Sequence, residues 1–297
     1  MSFDLAGYLD AHKALVDAAL GRFLPPETTP PMTVHKAMRY SVLAPGKRLR
    51  PILVIAGAEA VGGKAESVLE AACALEMIHA YSLIHDDLPA MDDDDYRRGR
   101  LTNHKVFGDA MAILAGDALL TLAFRLIADN AARVAASASV GRVVTQIADA
   151  AGTFGMVGGQ VVDIESEGKI VSSETLDYIH LHKTAALIRV SLRTGAMLAG
   201  GREGNVAALT EAGESLGLAF QIVDDILDVE GSLEELGKTA GSDERKQKAT
   251  YPAVHGIEAS RRRARDLIEQ TKRALEPLGP AAEPIRRLAD FVYERRS

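Results

Sequence analysis

Six aspartates fall within ten residues of this chain, at Asp86, Asp87, Asp92, Asp93, Asp94 and Asp95, after an apolar run and just before Arg97 and Arg98. At ~6 Å and an effective dielectric of ~20, each neighbouring carboxylate pair repels by roughly 2–3 kcal/mol, so the group demands compensating positive charge. Oxygen-only ligands at this density suit Mg²⁺, which binds through a few carboxylates and completes its shell with water and substrate phosphates. The bland alternative is a solvated acidic loop, and for this run alone it is the default. A calcium-hand loop is excluded. Tyr96 stands where the alternation of Asp92 and Asp94 needs an oxygen ligand, and the turn glycine is missing.

A second acidic group changes the balance. Asp224 and Asp228 are one helical turn apart and share a face, with Asp225 beside them. Phe220, Ile222, Val223, Ile226, Leu227 and Val229 surround them, which is not the composition of a solvated face. Both groups fall at the C-terminal ends of predicted helices, where the backbone dipole disfavours negative charge; the first helix must stop near Pro89. Each group is unfavourable as structure alone. Together they are accounted for if they face each other across a cavity and clamp metal ions.

The elements that must position them read as helices throughout. Apolar residues recur at helical spacing over 3–22, 33–43, 52–61, 65–88, 109–129, 138–156, 173–200 and 206–229, and the segment after 251 is helical with an Arg-rich surface. Lys47, Arg48 and Arg50 lie between Pro45 and Pro51, which deny that stretch a regular helix and predict a rigid basic turn. Residues 101–108 read as a short polar connection. Sustained period-two alternation is missing, so the expectation is an all-α fold: one domain over 1–297, with about ten or more helices around a central cavity and no committed strand. The composition, 47% hydrophobic and 25% charged, is globular. A net charge of −7 gives no global field for nucleic acid, so an anionic ligand needs a local cluster of cations. The single cysteine, Cys73, allows no intrachain disulfide and fits a reducing cytoplasm. Asp4 and Asp10 oppose a secretory signal. Asp117 and Arg125 interrupt 111–128, so no membrane span is predicted.

In the chain's order, the motifs are Gly46-Lys47-Arg48-Leu49-Arg50-Pro51, Asp86-Asp87 with Asp92 and Arg97-Arg98, Gly158-Gly159-Gln160 with Asp163, and His182-Lys183-Thr184. Asp224-Asp225-Ile226-Leu227-Asp228, Gly237-Lys238-Thr239 and Lys248-Ala249-Thr250-Tyr251-Pro252 follow. Each is weak alone, but the ordered set resembles the trans-isoprenyl diphosphate synthases over nearly the whole chain, and most of all the bacterial-type farnesyl diphosphate synthases. The resemblance implies the isoprenoid-synthase helical bundle, a homodimer, and a reaction in which an allylic diphosphate ionises, isopentenyl diphosphate attacks the allylic cation and a proton is lost.

What the resemblance implies for the residues is specific. Asp86, Asp87 and Asp92 on one side, and Asp224, Asp228 and the adjacent Asp225 on the other, would hold three Mg²⁺ ions, with Mn²⁺ as a substitute. Arg97, Lys183 and Lys238 would complete the clamp on the allylic diphosphate, and the oxygens of Thr184 and Gln221 would face the developing cation. Lys47, Arg50, His79 and Arg98 match the isopentenyl diphosphate site, Arg offering a bidentate fit to phosphate and Lys a point charge. Taken without the family, Lys47 to Arg50 would be a basic surface turn and His79 a satisfied helix histidine. Tyr81 and Ser82, five and four residues before Asp86, would wall the tail cavity. An aromatic there resembles farnesyl synthases, so a fifteen-carbon product is expected. The alternatives are a geranylgeranyl synthase and a non-catalytic subunit of a heteromeric synthase; a terpene cyclase is disfavoured because Asp228 stands where its second metal motif needs Ser or Thr.

Overall fold

The structure is a computed structural model, and it describes residues 3–134, 137–230 and 249–295. Its helices are α1 (Leu5–Phe23), α2 (Met32–Val42), α3 (Leu49–Glu59), α4 (Leu69–Asp86), α5 (Asn103–Phe107), α6 (Asp109–Val134), α7 (Ser137–Ala151), α8 (Met156–Ser166), α9 (Ser173–Ile179), α10 (Ala186–Leu198), α11 (Glu203–Glu230), α12 (Tyr251–His255), α13 (Ile257–Ala274) and α14 (Glu283–Glu294). The all-α expectation holds. The exception is a two-residue hairpin, β1 (Tyr96–Arg97) with β2 (Arg100–Leu101), antiparallel with Tyr96 opposite Leu101.

Local chemistry sets several helix starts. Asp4 accepts the Gly7 amide at 3.0 Å and Ser172 accepts that of Thr175 at 3.2 Å, each satisfying a donor the helix itself leaves open. Pro51 does not keep its neighbours out of α3 as expected. It sits in the first helical turn, where a missing N–H costs nothing, so Arg50 is helical while Lys47 and Arg48 remain in the turn.

The core has two connected parts. In one, α4 is central: 12 of its 18 residues are buried, it is apolar on every side, and α6 lies along it through Ala112, Ala115, Leu119 and Ala123. In the other, α11 packs on α10 and α13 around Leu192, Leu209, Leu216, Ile222 and Ile268. Helix α3 joins the parts by crossing α10 at close range. A side chain on Gly57 or Gly195 would overlap the backbone of the opposing helix.

Two helices pass a membrane-span test of length and composition alone, which core helices also pass. Residues 65–86 and 109–134 are both long and apolar enough to cross a bilayer, because two charges in an 18-residue window do not disqualify it. In the first, 72% of the apolar window is buried inside the protein, as befits a core helix; in the second, 39% is.

Candidate active site

Helix α4 delivers the first acidic group at its C-terminus, with Asp86 its last helical residue and Asp87 its cap. The chain then turns back. The Asp92 amide donates to the Asp86 carbonyl at 2.8 Å and the Asp93 amide to that of Leu88 at 3.1 Å, which brings Asp92 beside the helix end. The hairpin follows, turning through Arg98 and Gly99, both with positive φ. It lays Arg97 on Asp87, Nε 2.7 Å and Nη2 2.6 Å from Oδ1. Asp87 is 3% exposed, whereas Asp86 and Asp92 are only half-buried. Burial lifts the Asp87 pKa and Arg97 works against that shift. Asp87, expected beside Asp86 as a metal ligand, is thus held by Arg97, the residue expected on the substrate.

The basic turn is pinned by its middle cation. Arg48, at φ 52°, is 3% exposed and donates to Asp17 Oδ1 at 2.7 Å, Glu76 Oε1 at 2.8 Å and the Ala44 carbonyl at 2.9 Å. Lys47 and Arg50 are left on either side of this anchor. Arg98 reaches across to the Pro45 carbonyl at 3.0 Å, over Gly46, where any side chain would strike its guanidinium. His79 reaches solvent at one edge but is crowded by protein. Its pKa is pushed well below the usual histidine value by burial and then by Arg50, Arg98, Arg97 and Arg48. It is therefore neutral near pH 7 and can donate a ring N–H to an anion. The Arg50 pKa is lowered to about 10, chiefly by burial, and the side chain stays cationic. Arg50 and Arg98 act on His79, and His79 and Arg98 line a cleft with Tyr40, Glu76, Asp87 and Arg97, while Lys47 lies toward Arg295 and Asp224.

The second acidic group divides. Asp224 Oδ1 accepts from Arg295 Nη2 at 2.7 Å, and Arg295 lies 3.9 Å over the Phe220 ring while donating to the Phe220 carbonyl. Burial and then Arg295 lower the Lys47 pKa, with Asp224 opposing, so these three groups share one corner of the site. Asp224 also acts on Arg50, which links the second group to the first across the start of α3. Asp224 and Asp228 are half-buried. Asp225 is the buried member of the group. It is 3% exposed, Oδ1 takes the Gln221 amide at 2.9 Å, and Oδ2 takes the Tyr251 backbone N–H at 2.8 Å with His180 Nε2 at 3.3 Å. Both of its oxygens are thus engaged by protein groups, whereas it was expected among the metal ligands.

The predicted continuous helix over 173–200 is broken by a π-helical turn, His180–Ala185. Such a turn widens the helix and redirects its side chains. Lys183 Nζ lies 2.6 Å from Asp163 Oδ2, and Thr184 donates to Gln221 Oε1 at 2.7 Å. Gly159 of α8 lies against this turn; a side chain there would overlap the Lys183 backbone nitrogen. Lys238, with Gly237 and Thr239, lies outside the described residues. Tyr81 is 7% exposed with its ring edge-on to His85 at 5.7 Å, burial and then Asp86 lifting its pKa to about 12. The Ser82 hydroxyl donates to the His79 carbonyl. Two residues of the site, His180 and Arg295, were not singled out in the sequence, and two more, Asp163 and Tyr251, were quoted as motif residues without a role. His180 sits two residues before the His182-Lys183-Thr184 motif, which was signal enough; Arg295 lies in no quoted motif.

Among the described residues, no three His, Cys, Asp or Glu side chains converge tightly enough to hold an ion by themselves. The donor set is nonetheless all carboxylate oxygen, half-buried at two helix ends and flanked by cations, which fits Mg²⁺ bound jointly with a diphosphate.

Residues 31–280 match the polyprenyl synthetase family. The chain belongs to that family. It is a trans-isoprenyl diphosphate synthase by descent, and trans-prenyl transfer is its chemistry. It is 46% identical over 297 residues to a geranylgeranyl diphosphate synthase of Cyanophora paradoxa, covering 100% of this chain and 98% of the relative. It is 51% identical over 267 residues to a chloroplastic geranylgeranyl pyrophosphate synthase of Capsicum annuum, covering 89% and 72%. Among solved structures, geranylgeranyl pyrophosphate synthetase from Pyrococcus horikoshii superposes with a TM-score of 0.88 at 33% identity, covering 98% of each chain. These relatives overturn the farnesyl expectation. That expectation rested on Tyr81, and the Tyr81 ring is packed edge-on against His85 of the same helix, a position that does not by itself define a cavity floor.

Proposed function

We propose that this polyprenyl synthetase is a Mg²⁺-dependent geranylgeranyl diphosphate synthase. It would extend dimethylallyl diphosphate with isopentenyl diphosphate, through ten- and fifteen-carbon allylic diphosphates, to a twenty-carbon product and pyrophosphate. The observation that carries the reading is the end-to-end match to the C. paradoxa geranylgeranyl synthase.

The obstacle to the reaction is charge separation as pyrophosphate leaves, and fixed charge is what lowers such a barrier. Mg²⁺ would supply Lewis-acid stabilisation of the departing diphosphate, held by Asp86, Asp92, Asp224 and Asp228. Lys183 stands ready on the same side, its charge balanced by Asp163 until a diphosphate competes for it. Thr184 and Gln221 offer neutral oxygen dipoles, which stabilise a cation without capturing it. Isopentenyl diphosphate needs only to be held. Lys47, Arg50 and Arg98 would bind its phosphates while neutral His79 donates a hydrogen bond and adds no charge. The half-exposed apolar residues Ile113 and Leu114 on α6 support a homodimer as the working form.

Incubation with isopentenyl and dimethylallyl diphosphates, with and without Mg²⁺, followed by dephosphorylation and gas chromatography, tests the reading. A Mg²⁺-dependent C20 alcohol is expected. A product that stops at C15, or none, would overturn it.

A further inference from the structure

Asp225 is the least exposed carboxylate of the two groups, level with Asp87, and the proposed metal chemistry has no use for it. Its surroundings suggest another role. A carboxylate can only accept hydrogen bonds, so the Gln221 group 2.9 Å from Oδ1 must be the amide nitrogen. That fixes the amide the other way round at its far end, where Gln221 Oε1 faces Thr184 Oγ1 at 2.7 Å. A carbonyl oxygen cannot donate, so the single Thr184 proton is spent on Gln221. All that the Thr184 oxygen can then present elsewhere is lone pairs. Oδ2 of Asp225 is held in turn by the Tyr251 N–H at 2.8 Å and by His180 Nε2 at 3.3 Å, the imidazole stacking on the Tyr251 ring. The carboxylate is thus locked from behind, and the direction of the whole chain of hydrogen bonds follows from it.

We propose that Asp225 is a positioning residue that sets the polarity of the Gln221–Thr184 pair, so that Thr184 offers its negative end to the allylic cation. The inference rests on the prenyl-transfer reading above. It explains why an acid, and not an amide, is buried here. In Asp225→Asn, the Tyr251 N–H keeps the side-chain oxygen, so the new amide nitrogen faces Gln221. Gln221 must then present its oxygen to residue 225 and its nitrogen to Thr184. The Thr184 proton is released, and the wrong end of its dipole is free to face the developing charge.

The test compares wild type, Asp225→Asn, Gln221→Glu and the double variant Q221E/D225N, each checked for a folded-state melt, under steady-state prenyl transfer. Asp225→Asn is expected to lower kcat on the order of 10²-fold, the lower end of the effect seen when one preorganised hydrogen-bond donor is lost. KM for both diphosphates and the Mg²⁺ half-saturation should stay within about twofold, as a loss confined to the transition state requires. The double variant should recover much of the lost kcat over Asp225→Asn, because the carboxylate introduced at position 221 accepts from both the new amide at position 225 and Thr184, and so restores the original polarity. A wild-type kcat in Asp225→Asn, a raised Mg²⁺ requirement, or no recovery in the double variant would each overturn the proposal, the second by making Asp225 a metal ligand. A wild-type protein that makes no prenyl product would instead sink the functional reading itself.

Discussion

At the scale of single residues, what could be read in advance was composition under chemical demand. Carboxylates at helix C-termini and cations between prolines are arrangements that no helix or turn favours for itself, so their presence in sequence pointed to ligands, and the structure sets Arg50 and Arg98 around His79. What could not be read was which oxygens were already taken. Asp87 and Asp86 are adjacent and identical in type, yet a hairpin ten residues on spends Asp87 on Arg97, and a backbone N–H 26 residues on occupies Asp225. His79 gives the residue-scale prediction. Its folded pKa lies below its ordinary value, because burial and the surrounding arginines oppose a further positive charge. Below pH ~6.5 the unfolded chain takes up a proton that the folded state refuses, so stability is present above that pH and is lost as pH falls toward the folded pKa, by up to about 1.4 kcal/mol per unit. Denaturant unfolding at pH 7.5 and pH 5 should show wild type losing more stability than His79→Gln. Equal losses would mean that His79 titrates normally.

At the scale of elements, periodicity located helices but not their interruptions. The run 173–200 has uninterrupted helical character, and nothing in its apolar spacing distinguishes a π turn at His180–Ala185 from an ordinary one. Helices α8 and α11 pack on the turn, and Lys183 and Thr184 on it meet Asp163 and Gln221 from those helices. The same holds for α5, hidden in a stretch read as a polar connection, and for Arg50, helical despite the proline that follows it. Gly159 is the element-scale handle. It was legible as a break in helix composition, but its role is close approach: α8 can lie against the π turn only without a side chain there. Gly159→Ala must push the two apart, with a cost of about 1–3 kcal/mol for overpacking. Thermal unfolding should show that loss, and prenyl transfer should fall with it as Lys183 shifts. A variant with wild-type melting and wild-type kcat would mean that the contact is easily relieved.

At the scale of the whole molecule, fold class was the most legible property, because helices apolar on every side leave few ways to pack except a layered helical bundle. Product length was the least. It depends on the depth of a cavity enclosed by several helices, and a single tyrosine at one position, here packed against His85, does not fix that depth. Association falls between the two. Helix α6 buries Ala112, Ala115, Leu119 and Ala123 against α4, yet leaves Ile113 44% and Leu114 51% exposed one residue further round. Apolar residues on two sides of one helix mark a second packing partner, and the described part of the chain supplies it only in part, since 39% of the most apolar window of α6 is buried. In a homodimer with two-fold symmetry the same stripe from each protomer would meet itself, which small and branched apolar side chains permit. A charge placed there is then presented twice, like against like, at the centre of the contact. Light scattering on the eluted protein should give about twice the 31.7 kDa chain mass for wild type and the monomer mass for Leu114→Glu. A monomeric wild type would instead leave the exposed stripe of α6 to some other partner.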